Sequence, residues 1–451
     1  MTRNEQVLEK LSVIIDPDLS KDIVSLGFIK KLEIKEGNVS FSIELTTPAC
    51  PVKDMFKKEA ERVVNELDWV TSVEVEMTAQ AIKQKPTQMK GLEKVRHIIA
   101  VGSGKGGVGK SMVATNLAFS LSKTGAKVGL FDADIYGPSL PTMVGFENVS
   151  LKMEGSFIEP LDYEGVKLMS FGYATESSGE SGPAIMRGPM VAQVIQQLLG
   201  STDWGELDYL ILDMPPGTGD IQLTIGQQVP VTAAVIVTTP QRISFVDVVK
   251  GIQMFDELKI PTIAVVENMS YFKCNDCSKK HQVFGKGALN SLSEEFGFTQ
   301  SFQFPMQYEV AYYSDNGQPL VIAEPENEVT QLFTELSEAV VREVSKLAYI
   351  SEDKLEVTAP QKGSIEVKRG DETVVLSAAG LRFACRCAYC VDELSGKSRI
   401  EKSTIKADIH PTDIKRVGNY AFGINWNDGH TSLYPIKAIE ALSEKPEPVT
   451  T

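Results

Sequence analysis

Gly104-Lys105-Gly106-Gly107-Val108-Gly109-Lys110-Ser111 is the stretch whose reading decides the fold. It fits G-x-x-x-x-G-K-[ST], follows the short apolar run 97–101 and opens a helical stretch, the context in which such a loop cradles phosphate. Its glycines let backbone N–H groups turn inward onto phosphate oxygens at the start of a helix. Lys110 then sets a positive charge on the β- and γ-phosphates, and the Ser111 hydroxyl ligates Mg²⁺. Gly104 to Ser111, with Met112 after them, are the candidate nucleotide-binding residues.

Outward from this loop the chain repeats one rhythm. Apolar runs at 97–101, 127–131, 209–212, 233–237 and 262–266 are each followed by a loop and a helical stretch. Continuous apolar strands separated by helices imply a mostly parallel sheet covered by helices on both faces. The expected fold is therefore α/β, a P-loop nucleotide hydrolase over residues 95–348. Two acidic sites fall where strands end beside the loop. Asp132 and Asp134 close one strand and Asp213 another, and carboxylates there can hold a magnesium shell. Asn268 follows the run 262–266.

The flanks read differently. Residues 1–84 predict a small α+β unit with helices over 5–15 and 52–67 and strands over 38–45 and 70–77, Asp16-Pro17-Asp18 supplying a turn. Polar linkers are expected at 85–94 and 349–362. Residues 363–445 are strand-rich, with a final helix near 435–444. A length of 451 residues is too much for one core, in keeping with such a division.

Composition narrows the function classes. Hydrophobic residues make up 42% and charged residues 23%, an ordinary globular balance. The net charge of -15 argues against a nucleic-acid-coating surface, which is normally basic. No apolar run is long enough to span a bilayer, and the first residues carry charges where a signal peptide needs an apolar stretch. The expectation is a cytoplasmic protein with neither nucleic acid nor membrane as partner.

There are six cysteines, and their grouping matters more than their number. Cys274 and Cys277 form C-x-x-C, and Cys385, Cys387 and Cys390 form C-x-C-x-x-C. In a reducing compartment such clusters favour metal or redox chemistry over disulfides. Soft thiolates suit an iron–sulfur cluster or zinc. Three thiolates and one imidazole would make a closed tetrahedral set, with His430 and His410 both in range. Cys50 stands between a strand and a helix, where a thiol is either acidified by the helix or buried and inert.

Lys105 adds a resemblance. G-K-G-G-x-G-K-S resembles the deviant phosphate loop of the nitrogenase-iron-protein, septum-positioning and plasmid-partition ATPases, whose extra lysine reaches a partner subunit's nucleotide. Asp132-x-Asp134-x-Tyr136-Gly137-Pro138-Ser139, Met186-Arg187-Gly188-Pro189, Asp213-x-Pro215-Pro216-Gly217-Thr218-Gly219-Asp220, Thr238-Thr239-Pro240-Gln241 and Val266-Glu267-Asn268-Met269-Ser270-Tyr271 together resemble the Mrp/ApbC iron–sulfur cluster carrier ATPases. The resemblance implies a homodimer that uses ATP, carries a [4Fe-4S] cluster and transfers it from an assembly scaffold to apo-proteins. It implies a catalytic set of Lys105, Lys110, Asp132, Asp134 and Asp213. Asn268 would bond adenine, and Cys274 and Cys277 would hold half of a cluster shared across a two-fold axis. Asn275, Asp276 and Ser278 depart from the family's Pro and Gly around those cysteines.

Asp16-Pro17-Asp18, Ser25-Leu26-Gly27-Phe28-Ile29 and Leu45-Thr46-Thr47-Pro48-Ala49-Cys50-Pro51 resemble the small domain of iron–sulfur assembly factors. The final segment, through its cysteines and Trp426-Asn427-Asp428-Gly429-His430, resembles the N-terminal domain of gamma-butyrobetaine hydroxylase. That resemblance implies Zn²⁺ on Cys385, Cys387, Cys390 and His430. Two other readings stand beside the carrier: a partition or septum-positioning switch, and a zinc-dependent adaptor.

Overall fold

The computed structural model describes residues 1–80, 89–146, 149–178, 188–274, 276–285, 287, 289, 298, 300–349, 355–369, 372–385, 387, 389–391, 398–406, 408–417 and 421–444. Met186, Arg187 and Asn275, and residues 85–88 and 350–354 of the expected linkers, lie outside these. The chain forms two compact units. One holds Met1–Gly102, Gly109–Thr232 and Gln307–Tyr349; the other holds Ser103–Val108, Ala233–Met306 and Ile350–Thr451.

In the first unit the N-terminal helix Arg3–Leu11 begins at a capping box. Thr2 Oγ1 accepts the Glu5 N–H, and the Glu5 carboxylate accepts the Thr2 N–H at 2.7 Å. Strand Asn38–Leu45 pairs antiparallel with Ile29–Lys35 and parallel with Ser72–Ala79. Helix Lys53–Asn65 lays Phe56, Ala60, Val63 and Val64 on this sheet, the i, i+4, i+7 stripe of an amphipathic helix. The segment is tied down from elsewhere in the unit: Arg96 donates to the carbonyls of Thr46 and Gln80, and Thr46 Oγ1 meets Ser345 Oγ at 3.0 Å.

The rest of this unit is a sheet ordered Val95–Gly102, Leu207–Asp213, Val128–Asp132, Val166–Ser170 and Leu161–Tyr163, parallel except for the last pair. Leu207–Asp213 is buried at every residue, in keeping with the apolar run 209–212 at its centre. The register sets Asp213 opposite Asp132, and Asp132 opposite Ser170. Helix Lys110–Lys123 is buried along most of its length and packs against Glu328–Tyr349.

In the second unit Ala233–Thr238 pairs parallel with Thr262–Lys273, which pairs parallel with Ser301–Met306 and antiparallel with Lys280–His281. The strand expected to stop at 266 thus continues to Lys273, through a register shift between Glu267 and Tyr271. The C-terminal segment builds two three-stranded antiparallel sheets, Glu356–Thr358 with Ser364–Arg369 and Glu372–Ser377, and Pro411–Val417 with Ala421–Trp426 and Thr431–Pro435. Ile365, Leu381, Ile424, Trp426 and Tyr434 share one core with Cys385 and Cys390.

Candidate nucleotide and metal sites

In the first unit, strand ends bring the acidic residues level. Lys110 Nζ donates to Asp213 Oδ1 at 2.5 Å and to Ser111 Oγ at 3.2 Å, and Lys110 and Asp213 are both buried. Asp132 Oδ2 accepts the N–H groups of Ser139 (3.1 Å) and Leu140 (3.2 Å) and the Ser170 hydroxyl (3.1 Å), and Oδ1 accepts the Asp134 N–H at 3.0 Å. Burial, then the Asp213 charge, push the Asp132 carboxyl up to about 7 against the pull of Lys110. Asp134 is half-buried, also shifted upward by burial, and accepts the Gly137 N–H at 3.3 Å. Lys110, Ser111 and Asp213 are therefore joined by hydrogen bonds, with Asp132 opposite Asp213 in register and under the influence of both charges, and Asp134 at the edge.

The loop's glycines are needed where they stand. Gly107 and Gly109 have φ of +76° and +86°, a region that favours glycine. In the second unit a Cβ on Gly104 would lie 2.5 Å from the Asp247 backbone. Lys105 is half-buried and its carbonyl accepts the Ser103 hydroxyl at 2.9 Å. Asn268 is buried, and its Nδ2 donates to the Val108 carbonyl at 2.9 Å, so the side chain holds the loop.

Sequence reasoning missed Ser170 and Gln222. Ser170 reaches Asp132 only through strand register, a signal that no local motif carries. Gln222 Nε2 donates to the carbonyls of Pro215 (3.3 Å) and Pro216 (2.5 Å), shaping the loop after Asp213.

Cys274 and Cys277 sit on the turn joining Thr262–Lys273 to Lys280–His281. The turn is closed by Cys274 N–H on the Lys279 carbonyl (3.0 Å) and Ser278 N–H on the Cys274 carbonyl (2.8 Å), with Ser278 at φ +56°. Cys277 is exposed and Cys274 half-buried. The N–H of Cys277, then that of Asp276, point at the Cys274 sulfur and hold its thiol below the usual range. That is the environment of a ligating thiolate rather than of a packed thiol. Cys50 differs: burial pushes it up to about 11, the direction of an inert thiol.

The third set converges. Sulfurs of Cys385, Cys387 and Cys390 lie 3.4, 3.5 and 3.6 Å from His430 Nε2, and all four ligand atoms fall within 4.8 Å of one another. A tetrahedral zinc with Zn–S near 2.3 Å and Zn–N near 2.05 Å sets S···N at about 3.6 Å, so this donor set fits the metal. His410 is turned to the Asp408 carbonyl at 2.8 Å instead. A surrounding layer fixes the ligands: Arg382 donates to Cys390 Sγ (3.5 Å) and Asp428 Oδ2 (3.0 Å), and Asp428 Oδ1 accepts the His430 N–H (3.0 Å). Burial, then Arg382, lower the His430 pKa, keeping the ring neutral at pH 7. Burial pushes Cys385 up to about 12. At Cys387 burial acts upward too, but the N–H groups of Cys390 and Tyr389 outweigh it and bring the thiol down.

Three family models match the chain. Residues 94–341 match the family model of the NUBPL iron-transfer P-loop NTPases, residues 4–77 that of an iron–sulfur cluster assembly protein, and residues 358–439 that of the gamma-butyrobetaine hydroxylase-like N-terminal domain. The Fe-S cluster assembly factor HCF101, chloroplastic, of Arabidopsis thaliana is 48% identical over 98% of this chain and 83% of its own length. The iron-sulfur cluster carrier protein of Synechocystis is 40% identical over 78% of this chain and 100% of its own. A nucleotide-binding protein of Archaeoglobus fulgidus, solved in complex with ADP, aligns over 54% of this chain and 93% of its own, at 36% identity and a TM-score of 0.47. With a phosphate loop, strand-end carboxylates, the family-model match over 94–341 and the two relatives of 48% and 40% identity, the chain belongs to the iron–sulfur cluster carrier family of P-loop NTPases.

Proposed function

We propose that this chain hydrolyses ATP with Mg²⁺, assembles a [4Fe-4S] cluster between two copies of itself and passes it to apo-proteins. The observation that carries this reading is the exposed Cys274–Cys277 turn. A cubane cluster takes four thiolates, and this turn offers two, Cys277 exposed and Cys274 half-buried, with the Cys274 thiol held below its usual range by the N–H groups of Cys277 and Asp276. A two-fold axis supplies the other two. A shared, exposed site also suits cargo that must leave. The cluster is received from an assembly scaffold and delivered to apo iron–sulfur proteins.

In the nucleotide cycle Lys110 exchanges the Asp213 carboxylate for the β- and γ-phosphates, Ser111 and Asp213 ligate Mg²⁺, and Asp132 and Asp134 position the attacking water. Mg²⁺, when bound, neutralises charge on the phosphate oxygens. Asn268 reads the base, which favours ATP, and Lys105 reaches the nucleotide of the partner copy. Cys385, Cys387, Cys390 and His430 hold Zn²⁺ as a structural centre of the segment 363–445. Among the described residues no helix is long and apolar enough to cross a membrane. The grouped cysteines suit a reducing compartment such as the cytoplasm.

Anaerobic reconstitution with iron and sulfide tests the reading. About four irons and four sulfides per pair of chains, with the Mössbauer spectrum of a cubane, are expected, followed by transfer to an apo-protein. An unchanged cluster yield in the Cys274→Ala, Cys277→Ala double variant would overturn it.

A further inference from the structure

The strand Thr262–Lys273 touches the phosphate loop in its middle and carries the cysteine turn at its end. It is not a regular strand. Val265, Val266 and Glu267 pair with Ser301, Phe302 and Gln303, and pairing resumes with Tyr271 on Pro305. Four steps along one strand thus match two along its neighbour, and Asn268, Met269 and Ser270 bulge out. Met269 sits at φ +56°, a conformation that side chains other than glycine's adopt only under strain. The bulge turns Asn268 onto the Val108 carbonyl at 2.9 Å.

The next residue back faces the other way. Glu267 is buried; its Oε1 accepts the Ser270 hydroxyl at 2.7 Å and the Gln303 amide at 3.3 Å. Its second oxygen lies against Gly287, on the chain returning from the cysteine turn. A Cβ on Gly287 would stand 2.2 Å from Glu267 Oε2, and Gly287 has φ +71°. Adjacent residues of one bulge therefore hold the phosphate loop on one side and the return of the cysteine turn on the other.

We infer that Glu267 is a positioning residue that couples the nucleotide state of the phosphate loop to the placement of Cys274 and Cys277. The inference rests on the reading of those cysteines as cargo ligands. A nucleotide that moves Val108, or claims the Asn268 amide, shifts the strained bulge. Glu267 carries the shift to Gly287, and strand Tyr271–Lys273 carries it to Cys274. Two-state elements of this kind transmit coupling free energies that correspond to changes of several-fold and upward.

The test needs no iron. Alkylation of Cys277 by iodoacetamide is timed in the full-length, cluster-free protein, alone and with Mg²⁺ and a non-hydrolysable ATP analogue. The wild type is expected to show a rate change of about fivefold or more. In Glu267→Gln, and separately in Gly287→Ala, the ratio should fall close to one while analogue affinity stays within about twofold and the melting curve shows a folded protein. Ser270→Ala, which removes one donor to Glu267, should give an intermediate ratio, and it decides the case if both other variants fail to fold. A wild-type rate indifferent to nucleotide, or a full nucleotide effect retained in the folded variants, overturns the inference. Because the readout is thiol exposure, the two failures are distinguishable: absence of bound iron sinks the carrier reading, whereas loss of the nucleotide effect on Cys277 sinks the coupling.

Discussion

Replacing Lys110 with methionine removes one half of a buried ion pair and leaves the other. The 2.5 Å contact places Lys110 Nζ on Asp213 Oδ1 with both side chains almost wholly withdrawn from water. Without its partner a buried carboxylate costs several kcal/mol, but it has a cheaper course, which is to take up a proton. The cost at pH 7 is then bounded by holding a proton on a group whose ordinary pKa is about 3.9, or about 4 kcal/mol at 1.36 kcal/mol per unit. At pH 5 the same bound is about 1.5 kcal/mol. The direction follows from linkage. The variant's native state binds more protons than its unfolded state between these pH values, so its stability falls as pH rises through that window. Asp132, already pushed up by burial and by Asp213, shows that the neighbourhood behaves this way. The chain has three tryptophans, and Trp204 packs at 6.3 Å from the ring of Phe131, next to Asp132. In a Trp69→Phe, Trp426→Phe background, Trp204 fluorescence therefore reports urea unfolding around the nucleotide site. Without nucleotide, Lys110→Met should be destabilised by about 3–4 kcal/mol at pH 7 and by about 1–1.5 kcal/mol at pH 5. A deficit under about 1 kcal/mol at pH 7, or an equal deficit at both pH values, would refute the reasoning.

Four further outcomes are expected. His430→Ala should lose tightly held zinc, measured by elemental analysis after mild chelation, while His410→Ala should keep it. Zinc affinity should weaken as pH falls, by about tenfold per unit for each proton displaced; titration calorimetry in buffers of different ionisation enthalpy would count those protons, and Cys385, pushed up to about 12, must contribute one. Ser170→Ala removes the hydroxyl that steadies Asp132 and should cost about 1–2 kcal/mol of stability and lower ATP turnover with little change in nucleotide affinity, read from steady-state kinetics. Lys105→Gln should weaken ATP-dependent pairing of chains in light scattering while a single chain still binds nucleotide.

Local patterns were legible in the sequence, and long-range register was not. The phosphate loop, the strand-end aspartates and the C-terminal cysteines are short motifs whose chemistry is fixed within a few residues. The strand pairing that sets Asp213 beside Asp132 and Asp132 beside Ser170 joins positions far apart in the chain, and apolar periodicity says nothing of it. The run 262–266 was read as ending too early for a related reason. Beyond it lie Glu267, Asn268 and Ser270, polar residues at buried positions, which break the apolar pattern while the backbone goes on as a bulged strand to Lys273. Val166–Ser170 carries Lys167 inside it, so no continuous apolar run announces it.

Spacing alone could not separate the two cysteine sets, because Cys274–Cys277 and Cys387–Cys390 are both C-x-x-C. Their surroundings separate them. Cys385 and Cys390 belong to a hydrophobic core, their ligand set is completed within the chain by His430, and Arg382 and Asp428 lock its outer layer. A metal held there is enclosed and four-coordinate, so removing it means opening the core. Cys274 and Cys277 have an exposed turn, N–H groups aimed at one sulfur, and two ligands where a cluster takes four. A centre built there is open on the side where another molecule must complete it, and the same opening lets a recipient's thiolates enter. On the proposed reading, burial and ligand count set one site up to keep its metal and the other to give it away.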